Sequence, residues 1–538
     1  MSELRLYIDT ALHLKPSQIA YRVWRRLGGG TRLRLGYVPR VDVAHADILC
    51  VSVMPELDFD PVFLARFDVD ALLNDKVELL HHEEHVDWCE SWHAELSTPL
   101  WRFNLHYQEY LLPLAKAYLD NGNELYLAKA KAIVDSWIDA CPHERGGVAW
   151  DPYVISMRIV NWLAFRAELD DALGVDKGFC DRMNSSLVEQ YVHLSQHLEK
   201  DLLANHYLEN LKALVILACY FDDRKTLKLA MSILKAQVDE QVLDDGMHFE
   251  LSPMYQKIVL EDLMRVAIAL RTSGFGEHVE AFKLQRMCDC LYSMERGINR
   301  TPLFNDCGDN VAKSRDSLLL CAREHFDVTP SFHGVLKDSG YCILERQTKA
   351  GFVKVIFDAG EPGPTYAMGH AHCDALSFEC FVDGEPWIVN CGTYAYQDAK
   401  RLEFKRTHAH STVMVNGEEQ HECWAPFRVA RYSTGAIEDS TATMAHGALL
   451  QYGGKCKAVR EIVLEAEGLR VVDCLVGNGC AESAFVFTRD VPEVDGQVVN
   501  VAYAPEFGFY RDSFRIINQY TNSHEVYFAY PCYKKVVV

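Results

Sequence analysis

The sequence lacks any apolar run approaching the roughly eighteen residues that a membrane-spanning helix needs. It also lacks a basic excess. With 54 Lys and Arg against 76 Asp and Glu the formal charge is -22, which speaks against a nucleic-acid surface. There is no P-loop, no Gly-x-Gly-x-x-Gly and no His-Glu-x-x-His, so neither nucleotide chemistry nor zinc-protease chemistry has a visible motif. No Cys-x-x-Cys pair occurs among the 18 cysteines. They sit in apolar segments such as Leu217-Ala218-Cys219-Tyr220, as reduced, buried thiols do. The first residues, Met1-Ser2-Glu3-Leu4-Arg5, place charge where a secretory leader carries an apolar run. The expectation is a cytoplasmic protein, although the mature form of a periplasmic or secreted one would read the same.

What is present is enough for two large domains. A chain of 538 residues, 49% apolar and 24% charged, exceeds what one ordinary core organises. From Val62 to Arg323 apolar residues recur at three and four positions, over Tyr107–Tyr118, Leu125–Ala140, Ser156–Leu173, Leu187–Leu198, Leu208–Tyr220, Leu227–Val242 and Ile258–Ser273. Short breaks such as Asp120-Asn121-Gly122-Asn123 predict antiparallel helical hairpins, in a bundle or a closed ring. Near Ser339 the period changes. Gly340–Glu345, Phe352–Phe357, Ser377–Val382, Thr412–Asn416, Leu469–Cys474 and Ser483–Thr488 are short, β-branched or aromatic, and bounded by turn residues, which predicts an antiparallel sandwich. The division falls at 325–338, giving a helical domain over 1–330 and a β-domain over 331–538. Ahead of the helical body, Leu14-Lys15-Pro16-Ser17-Gln18 and Tyr21-Arg22-Val23-Trp24-Arg25-Arg26 predict a capped basic helix.

Four clusters carry polar or aromatic residues that core packing does not call for. Ala204-Asn205-His206-Tyr207-Leu208-Glu209-Asn210 opens a helix and puts His206 and Glu209 on one face, unless Asn205 only caps and His206 only packs. In Gly246-Met247-His248-Phe249-Glu250-Leu251-Ser252-Pro253-Met254-Tyr255, the Ser-Pro turn presents Tyr255 at a domain edge. Gly363-Pro364-Thr365-Tyr366-Ala367-Met368-Gly369-His370-Ala371-His372-Cys373-Asp374 is the most informative. An extended His-x-His turns both imidazoles one way, so that one is able to bind metal and the other to move a proton. Phe404-Lys405-Arg406-Thr407-His408-Ala409-His410-Ser411-Thr412 holds a second His-x-His behind two cations, Lys405 and Arg406, suited to a carboxylate or sulfate.

Taken in order these clusters resemble the heparinase II/III family of polysaccharide lyases. The resemblance runs through Trp101–Tyr107, Trp150-Asp151-Pro152-Tyr153 with Ser156, Arg158 and Asn161-Trp162, Asn205-His206 to Leu214, and Phe249–Tyr255. It continues through Pro302–Asp306, Gly369–Glu379, Gly392-Thr393-Tyr394 and His410-Ser411-Thr412-Val413. It implies an incomplete (α/α) toroid followed by an antiparallel β-sandwich. It also implies β-elimination next to a uronic acid, on an anionic chain such as hyaluronan, chondroitin, heparosan or heparan sulfate.

By the same resemblance Tyr255 is the acid, and the base as well where both groups leave from one face. His370 is the base for the other uronate epimer. His206 or Asn205 binds the carboxylate, and Glu209, Arg158 and His106 line the cleft. Tyr255 as a base needs a pKa brought down from about 10 by a neighbouring cation. The family's structural divalent metal, zinc or manganese, falls on His372, Asn390 and His410. Asn390 stands where the family has Asp and is a poorer ligand, with Asp374 close enough in sequence to replace it. Two other activities fit the same residue types: a uronyl C5-epimerase, which reprotonates the opposite face, and a non-catalytic glycan-binding protein of surface polysaccharide assembly.

Overall fold

The computed structural model describes residues 3–51, 54–488, 492 and 494–531. Its first half is an incomplete (α/α) toroid of antiparallel hairpins. Leu111–Asn121 turns at Gly122, in the left-handed region at φ 68°, into Glu124–Ala140, which Asn123 caps through the Leu125 N–H. Pro152–Glu168, Lys177–Gln196, Ala204–Tyr220, Arg224–Gln241, Pro253–Thr272, Leu284–Glu295 and Arg315–Phe326 continue the ring. Their inner faces merge into one apolar core that includes Trp101, Trp137, Trp162, Leu208, Leu214 and Leu263. Among the described residues no helix is long and apolar enough to cross a membrane.

The helix expected over Tyr107–Tyr118 is two. Pro99–Tyr107 stops at Gln108, at φ 58°, and the chain restarts at Leu111. Gln108 is buried in that kink and accepts the Trp162 indole N–H at 2.8 Å, which fixes the corner. A polar hairpin, β1 (Lys76–Leu79) and β2 (His82–His85), interrupts the helical half where no alternation announced it.

The second half is an antiparallel β-sandwich. One sheet runs β16 (Gln497–Glu506), β17 (Phe509–Tyr520), β15 (Ala481–Phe487), β7 (Glu385–Val389), β6 (Phe378–Val382), β5 (Gly351–Asp358), β4 (Tyr341–Thr348) and β3 (Val335–Leu336), with β8 (Val413–Val415) also on β15. The other runs β11 (Thr434–Ser440), β12 (Met444–Leu450), β13 (Lys457–Leu464), β14 (Gly468–Val476) and β18 (Ser523–Ala529). Leu344, Val355, Phe357 and Phe485 of the first sheet meet Ala445, Leu449, Ile462, Val471 and Phe528 of the second. Burial alternates along β13 and β14 of the second sheet, whereas β4, β5 and β6 of the first are covered on both faces, Ile343, Ile356 and Phe381 packing with Phe304 on the far side. A small hairpin, β9 (His421–Ala425) and β10 (Arg428–Tyr432), stands apart. Cysteines from Cys89 to Cys480 are free thiols.

The two halves are not divided at a single point. Residues 297–314 leave the toroid early and pack on the sandwich, Leu303 and Cys307 against Val389 and Cys391, Phe304 against Tyr341 and Phe381. The helix Arg315–Phe326 then returns to the toroid core. That excursion places Asp306 under the cleft between the domains.

Candidate active site

A cleft of about 1220 Å³ separates toroid from sandwich, and Asn205, His206, Tyr255 and His370 all line it. Three tight corners aim them. Leu203 and Ala204, at φ 63° and 51°, turn the chain into Ala204–Tyr220 so that Asn205 and His206 occupy its first turn. Leu251, at φ 56°, precedes the Ser252-Pro253 start of Pro253–Thr272. The Ser252 hydroxyl accepts the Tyr255 N–H at 3.3 Å and donates to the Asp306 carbonyl at 2.6 Å, tying the tyrosine helix to the sandwich. Asn305, at φ 54°, presents Asp306. Left-handed non-glycine residues cost energy, and they cluster where function demands a fixed geometry.

Asp306 is the hub. Its carboxylate accepts His370 Nδ1 at 2.7 Å and His372 Nε2 at 2.8 Å, and takes a bidentate pair from the buried Arg401 guanidinium. Burial would raise its pKa, but Arg401 and the two imidazoles hold it well below the usual carboxylate range. With Nδ1–H committed to Asp306, the free Nε2 lone pair of His370 is the one available for substrate. The His370 ring lies 4.6 Å from that of Tyr255, centroid to centroid.

The Tyr255 hydroxyl lies 2.9 Å from that of Tyr396. Burial, Glu250 and Asp306 push the Tyr255 pKa up, against smaller opposing effects of Tyr396 and Arg401. The expected lowering of this pKa is therefore reversed, because Arg401 is spent on Asp306. In this state Tyr255 is a proton donor.

At the toroid wall His206 Nδ1 meets Glu199 at 3.0 Å. Burial lowers the imidazole pKa, but Glu199, Asp151 and Glu250 outweigh it and carry it up to about 9. His206 is thus a cation at neutral pH. Beside it the Asn205 side-chain oxygen is buried without a hydrogen-bond partner, and Glu250, whose pKa burial raises, takes the Asn205 N–H.

Five residues expected in the cleft are elsewhere. Arg158 is fully buried, donating to Gln190, the His106 carbonyl and the Ala149 carbonyl, with Trp137 3.8 Å away. His106 is buried between the Trp92 carbonyl and the Trp137 indole. Glu209 lies behind the wall, paired with Lys212, which itself reaches Asp262 at 2.6 Å. Lys405 points inward and donates to the Gly369 carbonyl at 2.8 Å, supporting the His370 loop. Arg406 is exposed and 4.0 Å from Glu419, away from the cleft.

The expected metal ligands His372, Asn390 and His410 are buried, with the His372 and His410 rings 5.3 Å apart. Asp374, the alternative carboxylate, is also buried and its Oδ2 takes the Asn305 N–H at 2.8 Å. Among the described residues no group of three or more His, Cys, Asp and Glu is arranged to hold a metal. His372 Nδ1 and both His410 ring nitrogens nevertheless lack any hydrogen-bond partner. Asn390 Oδ1 accepts the Ser411 N–H at 3.2 Å, next to His410. Two imidazoles with unpartnered nitrogens and one amide are a neutral donor set.

Several site residues carry no role in the sequence reading. Asp306 was in view, within Pro302–Asp306, but nothing local marks its carboxylate as the partner of a histidine 64 residues on. Glu250 lay within the Gly246–Tyr255 cluster without a role of its own, and Arg401 and Tyr396 gave no periodic or motif signal. Nor did Lys313, which lines the cleft at 4% exposure with its ammonium 3.2 Å above the centre of the Phe63 ring and no ion pair among the described residues.

Residues 65–333 match the family description Heparinase II/III N-terminus, and residues 330–528 match Heparinase II/III-like, C-terminal. The chain belongs to the heparinase II/III family. A heparin-sulfate lyase of Pedobacter heparinus is 21% identical over 349 residues, 59% of this chain and 52% of that protein. The FtsZ-localized protein C of Caulobacter vibrioides is 28% identical over 294 residues, 53% of this chain and 48% of that protein. The chain spans about half the length of these relatives. In fold it is similar to a heparinase III crystal structure, with TM-score 0.64, 15% identity, and 95% and 89% of the two chains covered. It is also similar to the heparan sulfate lyase HepC of Pedobacter heparinus, with TM-score 0.54, 15% identity, and 91% and 85% covered.

Proposed function

We propose that this protein is a polysaccharide lyase that cleaves uronic-acid-containing, glycosaminoglycan-like chains by β-elimination. The observation that carries the reading is the facing pair Tyr255 and His370, the histidine oriented by Asp306, in a cleft whose opposite wall holds a cationic His206. Family membership and a relative named as a heparin-sulfate lyase support it.

The uronate C5 proton is weakly acidic until the neighbouring carboxylate is neutralised. His206 supplies the positive charge and Asn205 the hydrogen bond for that group, and both serve the enolate-like intermediate more strongly than the ground state. His370 Nε2 takes the C5 proton. The electron pair left on C5 forms the C4–C5 double bond as the C4–O bond breaks, and Tyr255 protonates the departing oxygen. For the epimer whose two groups leave from one face, Tyr255 would perform both transfers in turn only where bound substrate brings its raised pKa down. His372, His410 and Asn390 would hold a divalent metal, zinc or manganese, loosely; its contribution when bound is structural, fixing the loop that carries His370.

A panel of uronate polymers tests the reading through absorbance near the ultraviolet edge, which reports the unsaturated uronate. Solvent deuterium entering C5 with no new absorbance would replace it with epimerisation. Neither signal on any polymer would leave a glycan-binding protein.

A further inference from the structure

The chain's charge is unevenly spread. Residues 1–40 contain eight arginines and lysines against two carboxylates, within a protein of net charge -22. Two helices from this region, Glu3–His13 and Pro16–Arg26, precede the residues that match the family and lie along the cleft. The first rests on the β9–β10 hairpin: Thr10 donates to the Val429 carbonyl at 3.2 Å, His13 is 2.8 Å from the Ala430 carbonyl, and Trp424 donates to Thr10 at 2.9 Å. The second is held by both domains. Buried Gln18 donates to the Asp201 and Leu202 carbonyls on the loop before Asn205 and to the Tyr366 carbonyl on the loop before His370. Arg25 pairs with Asp201 at 2.8 Å.

This anchoring brings like charges together. Arg22 and Arg26 line the cleft beside Arg428 of β10, and none of the three makes an ion pair among the described residues. Arg428 is instead braced by the Tyr7 and Trp424 rings, at 5.2 and 5.1 Å. Partial burial lowers the Arg22 pKa, and Arg428 and Arg26 lower it further against Asp201. Uncompensated guanidinium groups on a cleft wall concentrate the field there and favour a multivalent anion.

We infer that the N-terminal helical arm completes an anion subsite, in which Arg22, Arg26 and Arg428 bind carboxylate or sulfate groups of the polymer beyond the linkage that is cleaved. This rests on a uronate polymer being the ligand of the cleft. It resolves the mismatch between an acidic protein and an acidic substrate, because the local field at the arm opposes the global one.

The test uses the full chain with Arg22→Gln, Arg26→Gln and Arg428→Gln combined, in a Tyr255→Phe background so that binding is read without turnover. Calorimetry with unsulfated and sulfated uronate polymers over a salt series should show affinity reduced on the order of tenfold, with a shallower salt dependence. A loss confined to sulfated polymers assigns the subsite to sulfate, and a loss on both assigns it to carboxylate. With Tyr255 restored, the triple change should raise KM and leave kcat nearly unchanged. Unchanged affinity and salt dependence would overturn the inference, as would a parent that binds no uronate polymer. Binding to phosphatidylglycerol vesicles that the triple variant loses, with polymer binding intact, would also overturn it and make the arm a membrane contact. Polymer binding that depends on the arm, without unsaturated product from the parent, would fault the lyase reading and leave the subsite standing.

Discussion

His370 Nδ1 and Asp306 Oδ2 lie 2.7 Å apart, and that contact orients the loop histidine for the role of base that the proposed mechanism gives it. It commits one ring nitrogen, fixes the tautomer and leaves the other nitrogen free, in a ring 4.6 Å from that of Tyr255. The same carboxylate is also the counter-ion of buried Arg401, so its two roles separate in mutants. Both His370→Ala and Asp306→Asn are predicted to lower turnover by a factor of about 10²–10⁴. Only Asp306→Asn should also lower the melting temperature, because it leaves a buried guanidinium without its charge partner, at a cost of about 3–5 kcal/mol. Equal thermal stability in the two variants would show that Asp306 does not carry the Arg401 charge.

His206 gives a pH prediction. Its folded-state pKa is raised to about 9, so the folded protein keeps the imidazolium charge until pH approaches that value and loses it as pH rises through about 9. KM for a uronate polymer should therefore increase across that window while kcat changes less. His206→Gln should flatten the alkaline rise. A KM that stays constant from pH 7 to about 10 in the parent would remove His206 from carboxylate binding.

Lys313 carries a stability prediction of opposite sense. Burial pulls its pKa down to about 8, so the folded state binds the proton less tightly than the unfolded chain. Its charge costs stability below pH about 8, and the cost fades as pH rises towards the unfolded value near 10.4. Lys313→Met should stabilise the protein at pH 7 by an amount on the order of 2–3 kcal/mol, read by denaturant unfolding. A destabilised variant would mean that the ammonium has a partner it cannot spare.

Much of this architecture was legible in the sequence, for physical reasons that also mark where reading stopped. Helices such as Glu124–Ala140 and strands such as β14 show their buried faces through the 3.6 and 2.0 periods. Tyr255 and His370 lay in clusters that the sequence marks, behind Ser252-Pro253 and Gly369, but their roles came from the family resemblance, since a single tyrosine after a turn is a weak signal. Lys405 and Arg406 look alike in sequence, but the short helix Arg401–Lys405 turns one beneath Gly369 and leaves the other in solvent. Arg158 fits an amphipathic helix as a cleft residue, yet its fork is matched to three acceptors inside the ring. The contact between Asp306 and His370 joins two loops whose proximity depends on the whole interdomain packing, which no local pattern encodes.

The neutral donor set at His372, His410 and Asn390 predicts weak metal retention. Protein purified without added metal should contain zinc or manganese at well below one equivalent. Asn390→Asp should raise both metal content and melting temperature, since a bound dication stabilises only the folded form. Full occupancy in the parent, with no gain in the variant, would contradict a weakened site.

The central claim is that Tyr255 transfers a proton in an elimination. The most direct measurement is the rate of ultraviolet absorbance growth on a cleaved uronate polymer, comparing the parent with Tyr255→Phe. The account predicts product from the parent, and at least a hundredfold slower formation by a variant that keeps the parent's fold and polymer affinity, within the range of about 10²–10⁴ for a general acid. Near-parental elimination by Tyr255→Phe would contradict it.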